Sequence, residues 1–172
     1  MGQQQLLLLV LATVIVGLAT VAGIQAFDEN RQQAAQDAIV QRAADIGTDV
    51  LSVISRPSPM GGMEATTDKG EEILRRAGYE TGKGVDTSSD PRDCESGPDY
   101  TTSVPGAGSC SECRVMANNS STTVNGVDLE ADQIGVWCRA PKAEEDVVVV
   151  VDPTPDATEP VKTEFATSTL GE

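Results

Sequence analysis

The chain has no histidine. That absence removes the commonest general base and metal ligand and rules out a Ser/His/Asp relay. Neither a P-loop nor a Gly-x-Gly-x-x-Gly turn occurs, so no phosphate cradle is present in the sequence. Aromatic residues are few: Trp137, Tyr79, Tyr100, Phe27 and Phe165 are the whole set. Basic residues are scarce too, 12 against 27 acids, for a net charge of −15. A nucleic-acid-binding chain normally carries a basic face, and an acid excess of this size opposes direct contact with phosphates. Acidic runs such as Glu144-Glu145-Asp146 do not match a calcium loop. The expectation is a chain with no enzymatic activity, no cofactor, no metal and no direct nucleic-acid partner.

A sharper absence lies at the front. Residues 1–27 hold no ionisable side chain, and the first is Asp28. From Leu6 to Phe27 the chain is almost wholly apolar. At ~1.5 Å per residue this run is roughly 33 Å long, enough to cross a bilayer core of about 30 Å. It is longer than the apolar region of a secretory signal peptide, and no basic segment precedes it. A plain single-pass anchor usually ends in Lys or Arg, whereas here the boundary reads Asp28-Glu29-Asn30-Arg31. The neutral start fits a chain from which a short basic leader has been cut. Ala12, Gly17, Ala19, Ala22 and Gly23 are threaded through the run; small residues of this kind let helix backbones approach closely.

Beyond Asp28 the pattern becomes one-sided. Ile39, Ala43, Ile46, Val50 and Val53 step by four, three, four and three, a heptad seam on one helical face. Ala34, Ala35, Ala38 and Ala44 add helix propensity, while Gly47 is a weak point costing about 1 kcal/mol relative to alanine. Ser55-Arg56-Pro57-Ser58-Pro59 ends the helix. Two uses of the seam are open: it packs on the chain's own C-terminal region, or on other subunits.

About 115 residues remain for a folded head, enough for one modest core of the kind that usually needs staples. From Glu64 onward there are 22 acids against 9 bases, so the head carries nearly all the negative charge. A short helix is expected from a cap at Thr66, Thr67 or Asp68 through Arg75, ending at Gly78. Residues 80–109, rich in Gly, Ser, Asp and Pro, read as an irregular loop. Strands are expected at Arg114–Ala117, Thr122–Val124, Gly135–Cys138 and around Lys162–Thr167, with a turn at Asn125-Gly126. Val147–Val151 is an uninterrupted β-branched run and the strongest strand signal. Cys110-Ser-Glu-Cys113 lacks the second CxxC pair or the histidines of a zinc site, and a redox βαβ context is missing. Structural disulfides are expected. Of the three pairings that four cysteines allow, Cys113–Cys138 would staple two strands and Cys94–Cys110 would tie down the long loop. Asn118-Asn119-Ser120-Ser121 contains overlapping sequons at Asn118 and Asn119 that permit glycosylation in an exported chain; a bare polar turn is the plainer reading.

The start, Met1-Gly2-Gln3-Gln4-Gln5 followed by Leu6–Val10 and Val14-Ile15-Val16-Gly17, resembles the N-terminal segment of type IV pilins and related prepilin-processed subunits. The resemblance covers residues 1 to about 56; the head resembles no family. It implies an α+β subunit made of a long helix over about 1–55 and a small disulfide-bonded β-rich head, divided as 1–27 (membrane and filament-core helix), 28–56 (amphipathic stalk) and 57–172 (acidic head). It implies storage in the inner membrane, cleavage by a prepilin peptidase, and assembly with copies of itself by dedicated machinery into a fibre on the cell surface. Adhesion, motility and DNA uptake are the roles such fibres serve. Residues expected to pack in the filament core are Leu6, Leu9, Val10, Val14, Val16, Gly17, Leu18, Val21, Ile24, Phe27, Ile39, Ala43, Ile46 and Val50. Bacterial pilins usually place a glutamate at the fifth mature position; Gln5 stands there if Met1 is the mature start, so charge pairing with a neighbour's amine is missing. The alternatives are a pseudopilin of a secretion system and a membrane-anchored binding ectodomain that never polymerises.

Overall fold

The computed structural model describes residues 2–63, 70–86, 95–108, 110–117, 122–124, 126–155 and 157–166. One helix, α1, runs unbroken over Gly2–Ile54. Its 53 residues span about 80 Å. It ends where the sequence requires: Ser55 N donates the last helical bond to Leu51 O, and a 3₁₀ turn at Ser58–Met60 follows Pro57. Pro57 has no amide to continue the ladder and disfavours helix in the residue before it.

A second helix, α2, covers Gly70–Arg76. Tyr79 N donates to Leu74 O and Gly78 N to Arg75 O, with Gly78 at φ +92°. This is a Schellman closure, for which glycine carries no Cβ penalty. The expected cap at residues 66–68 lies outside the described residues.

Eight strands follow: β1 (Gly82–Asp86), β2 (Glu95–Ser103), β3 (Glu112–Ala117), β4 (Thr122–Val124), β5 (Val127–Leu129), β6 (Ile134–Arg139), β7 (Asp146–Val151) and β8 (Val161–Ala166). Six form one antiparallel sheet in the order β1-β2-β3-β6-β7-β8, and β4 pairs with β5 in a separate hairpin. The stretch read as an irregular loop over 80–109 therefore contains β1 and β2, paired from Gly82↔Thr101 to Asp86↔Glu95. Their composition hides them, but register shifts within the pair absorb the irregularity.

The sheet is covered on both faces. Val147, Val149 and Val151 of β7 join Ile134, Val136 and Cys138 of β6 and Cys113 and Val115 of β3 beneath α1. Val148 and Val150, pointing the other way, join Trp137, Val124, Val127 and Leu129 under the β4–β5 hairpin. The continuous valine run of β7 follows from this, because a strand buried on both faces has no polar position to alternate with.

Two glycines allow the close approaches. A Cβ on Gly47 would lie 2.8 Å from Val149 Cγ1, so the residue that weakens α1 as a helix is what lets it press on β7. A Cβ on Gly135 would lie 2.8 Å from Leu129 Cδ1, where the hairpin closes on β6.

Cys113 and Cys138 stand directly opposite in the β3–β6 register and are joined by a disulfide. With a sequence separation of 25, the link stabilises the head by about 3 kcal/mol in the chain-entropy account. Cys110 is disulfide-bonded as well, while Cys94 lies outside the described residues. Asn118 and Asn119 also lie outside them.

Candidate assembly surface on the apolar half of α1

The head grips only the second half of α1. Ala35 is the first buried residue, and Ile39, Ala43, Ile46 and Val50 are completely enclosed with Val53 close behind. These are the seam positions, and they face β6 and β7. Four residues expected to pack in a filament core, Ile39, Ala43, Ile46 and Val50, are thus corrected: the chain's own sheet already takes up their surface, leaving none to offer a neighbour.

Among the described residues none N-terminal to Ala35 is buried. Leu7, Leu18 and Phe27 are 69%, 68% and 71% exposed, and Leu9, Val10, Val14, Val16, Val21 and Ile24 are more than half exposed. Gly17 also stands open, with nothing within 4 Å of where a Cβ would be. The side chain of Leu6 lies outside the described residues. The five consecutive apolar residues Leu7–Leu11 step around the helix at ~100° each, so the segment is apolar on every side rather than along a stripe. By length and composition it is able to cross a membrane.

Three polar side chains in this half bond back to their own helix. Thr13 Oγ1 donates to Val10 O and Thr20 Oγ1 to Gly17 O, each at 2.8 Å. Asn30 Nδ2 donates to Ala26 O at 2.8 Å. Threonine tied back to its own helix carries no demand for water, which suits an apolar medium.

The junction between the covered and uncovered halves is polar. Gln36 Oε1 accepts from the backbone N of both Glu144 and Glu145 at 3.1 Å, fastening the loop before β7 to α1. Sequence reasoning missed Gln36, since one glutamine on a helix reads as a solvated residue. Farther along, Tyr79 Oη donates to Asp49 Oδ2 at 2.6 Å, and the Arg42 guanidinium lies 4.7 Å from the Tyr79 ring centroid. Burial, then the hydrogen bond to Asp49, pushes the Tyr79 phenol well above its ordinary range.

On the hairpin side the Trp137 ring is approached by two guanidinium groups, Arg114 at 4.1 Å and Arg139 at 5.1 Å. Its Nε1 donates to Asp146 Oδ2 at 3.2 Å, and Arg139 Nε donates to Glu112 Oε1 at 2.8 Å. Burial, with Arg139 nearby, lowers the Arg114 pKa. Cation–π stacking of this sort contributes ~1–2 kcal/mol when desolvated; here it ties β3, β6 and β7 together.

Among the described residues no group of three or more His, Cys, Asp or Glu side chains is placed to hold a metal. One polar cleft among them is bordered by Glu80, Thr101, Ser103 and Glu112. The chemistry this arrangement offers is burial of apolar surface. No family model, no curated protein and no solved structure matches the chain.

Proposed function

We propose that this chain is a structural subunit of an extracellular helical filament of the type IV pilus kind, held in the inner membrane by α1 and then polymerised through the same segment. One observation carries the reading: residues 7–27 are apolar on every side, uncharged and uncovered, yet continuous with a helix locked into a stapled head. Twelve large apolar side chains stand exposed between Leu7 and Phe27. At about 1.5 kcal/mol each, their burial is worth on the order of 15–20 kcal/mol, more than the whole stability of a typical domain, about 5–15 kcal/mol. The segment therefore does not stay in water. A single partner covers one side of a helix; covering all sides takes lipid or several other helices. Lipid and neighbouring copies are interchangeable surroundings for it, which is what a subunit moving from membrane to fibre requires.

The second reading is a membrane-anchored ectodomain that remains monomeric, favoured by the match between the ~33 Å apolar run and a bilayer core of about 30 Å. Electron microscopy and mass spectrometry of sheared surface material separate the two. Filaments containing this chain are expected. The chain recovered only as monomer in the membrane fraction supports the second reading and rejects the first.

A further inference from the structure

α1 covers the sheet unevenly. A Cβ on Gly47 would meet Val149, Val161 and Val151, so this side of α1 faces β7 and β8. Val40, Leu51 and Ile54 project to the same side, at helical spacing from Gly47. Each is only partly buried against the core. On β8, Val161, Thr163 and Phe165 stand opposite Val151, Val149 and Val147, which are fully enclosed beneath α1. Residues directly opposite in an antiparallel pair share a face. Yet Val161 is half-buried, Thr163 is exposed and Phe165 is 54% exposed. The cover that α1 gives the sheet thus ends at β7, leaving an apolar flank of Val40, Leu51, Ile54, Val161 and Phe165. Lys162 and Glu164 stand opposite Val150 and Val148, on the other face, and pair with each other. Glu144 and Glu145 meet Gln36 while Val149 meets Gly47, so β7 runs alongside α1 in the same sense. Phe165, opposite Val147, therefore lies at about the level of Val40.

Sizes decide what can cover this flank. Packed helices lie about 8–10 Å apart, whereas a six-stranded sheet is about 24 Å across. Copies that surround one apolar half at helix spacing therefore do not all stand level with it, because their heads would overlap. An axial offset removes the overlap. An offset of ~40 Å, about 27 residues, sets residues 7–27 of one copy beside residues 34–54 of another. Among the described residues, those fully exposed between Ala35 and Ile54 are polar: Asp37, Gln41, Asp45, Thr48, Asp49 and Ser52. The flank along β8 is the apolar, uncharged surface that an offset copy finds there. Resting on the filament reading, we infer that neighbouring copies are axially offset, with the apolar half of one α1 seated on the α1–β8 flank of another and covering Phe165.

The test uses the full chain, as sheared fibre and as monomer in neutral detergent. Hydroxyl-radical labelling of the native Phe165 is expected to fall about fivefold in the fibre, as a 54% exposed ring becomes a core ring. A second measurement identifies the cover. Chain carrying p-benzoylphenylalanine in place of Phe165 is co-expressed with native chain, and the fibres are irradiated and digested. Adducts are expected on residues 7–27. Phe165 lies roughly 20 Å beyond Phe27 along α1, so an adduct on that segment comes from another copy. Equal labelling of Phe165 in fibre and monomer overturns the inference, as do adducts confined to head or stalk residues. In those cases fibres exist and the filament reading stands. Absence of any fibre from the native chain rejects the filament reading and this inference with it.

Discussion

The two halves of α1 belong to one continuous helix and meet opposite fates. Residues 35–54 bury a one-sided seam, Ile39, Ala43, Ile46, Val50 and Val53, against the chain's own sheet and turn a polar back to solvent. Residues 7–27 are apolar on every side, and none of them is buried among the described residues. The difference lies in how many apolar residues there are and in how they are spaced around the helix. A heptad seam asks for one partner surface, which the head supplies. A helix apolar on all sides asks for a surrounding medium, which a head of this size does not supply. Substitutions in the two halves are expected to fail in different assays, and that separation is where the comparison is most easily broken.

The largest effect is expected from Val16→Asp. Val16 is 62% exposed in the single chain, so the head is expected to keep its thermal midpoint and its Cys113–Cys138 link. A carboxylate at the centre of an apolar span costs about 2.5–3.5 kcal/mol on insertion scales, and every copy in a fibre would carry it. Sheared-filament yield is expected to fall at least tenfold; undiminished filaments would show that this half is not the core.

Ile46→Ala is the mirror experiment. Ile46 is fully enclosed, and truncating such a residue costs about 2–5 kcal/mol. A drop of that size in chemical denaturation of the head, with retained membrane insertion, is expected. A negligible loss would mean that the seam is not the head's own core.

Gly47→Ala is expected to destabilise the head by about 1–3 kcal/mol, although helix propensity alone favours alanine by about 1 kcal/mol. The reason is the 2.8 Å approach to Val149 Cγ1, a stiff β-branched side chain in a packed strand. A net gain in stability would show that α1 and β7 separate freely at this point.

The smallest effect is expected from Tyr79→Phe, about 1 kcal/mol for the lost hydrogen bond to Asp49. It carries a pH signature. The phenol pKa is raised in the folded chain above its ordinary 10.0, so the folded state holds its proton longer than the unfolded one. The contribution is complete below pH 10 and declines as pH rises above it. The native head should lose more stability than the variant between neutral and strongly alkaline pH; parallel curves would remove Tyr79 from the account.

Much of this architecture is legible in the residues because the signals are periodic. The α1 seam, its end before Pro57, the Gly78 closure, β3, β6, β7 and the pairing of β4 with β5 all follow from spacing or from residues with few conformations open to them. The Cys113–Cys138 staple follows from the two strands that it joins. What escaped has a physical reason too. β2 contains Gly97 and Pro98, which argue against a strand. Proline is tolerated because β2 meets β3 only at Thr102 and Ser103, so around Pro98 its far edge lacks that ladder partner. Gly47 reads as a defect until the strand it approaches is known. Gln36 and the Arg114–Trp137–Arg139 stack depend on contacts across long sequence separations, which no local pattern carries. The apolar half was the plainest segment to read, yet sequence alone left open which seam residues remained for neighbours. Burial answers that for Ile39, Ala43, Ile46 and Val50.

The central claim is that residues 7–27 are sheltered by copies of themselves in the finished assembly. A cryo-electron microscopy reconstruction of the native fibre tests it most directly. Helices of adjacent subunits are expected with axes about 8–10 Å apart along Leu7–Phe27, with the acidic heads outermost. A fibre whose apolar segments lie well beyond that spacing, or whose subunits begin after Phe27, would contradict it.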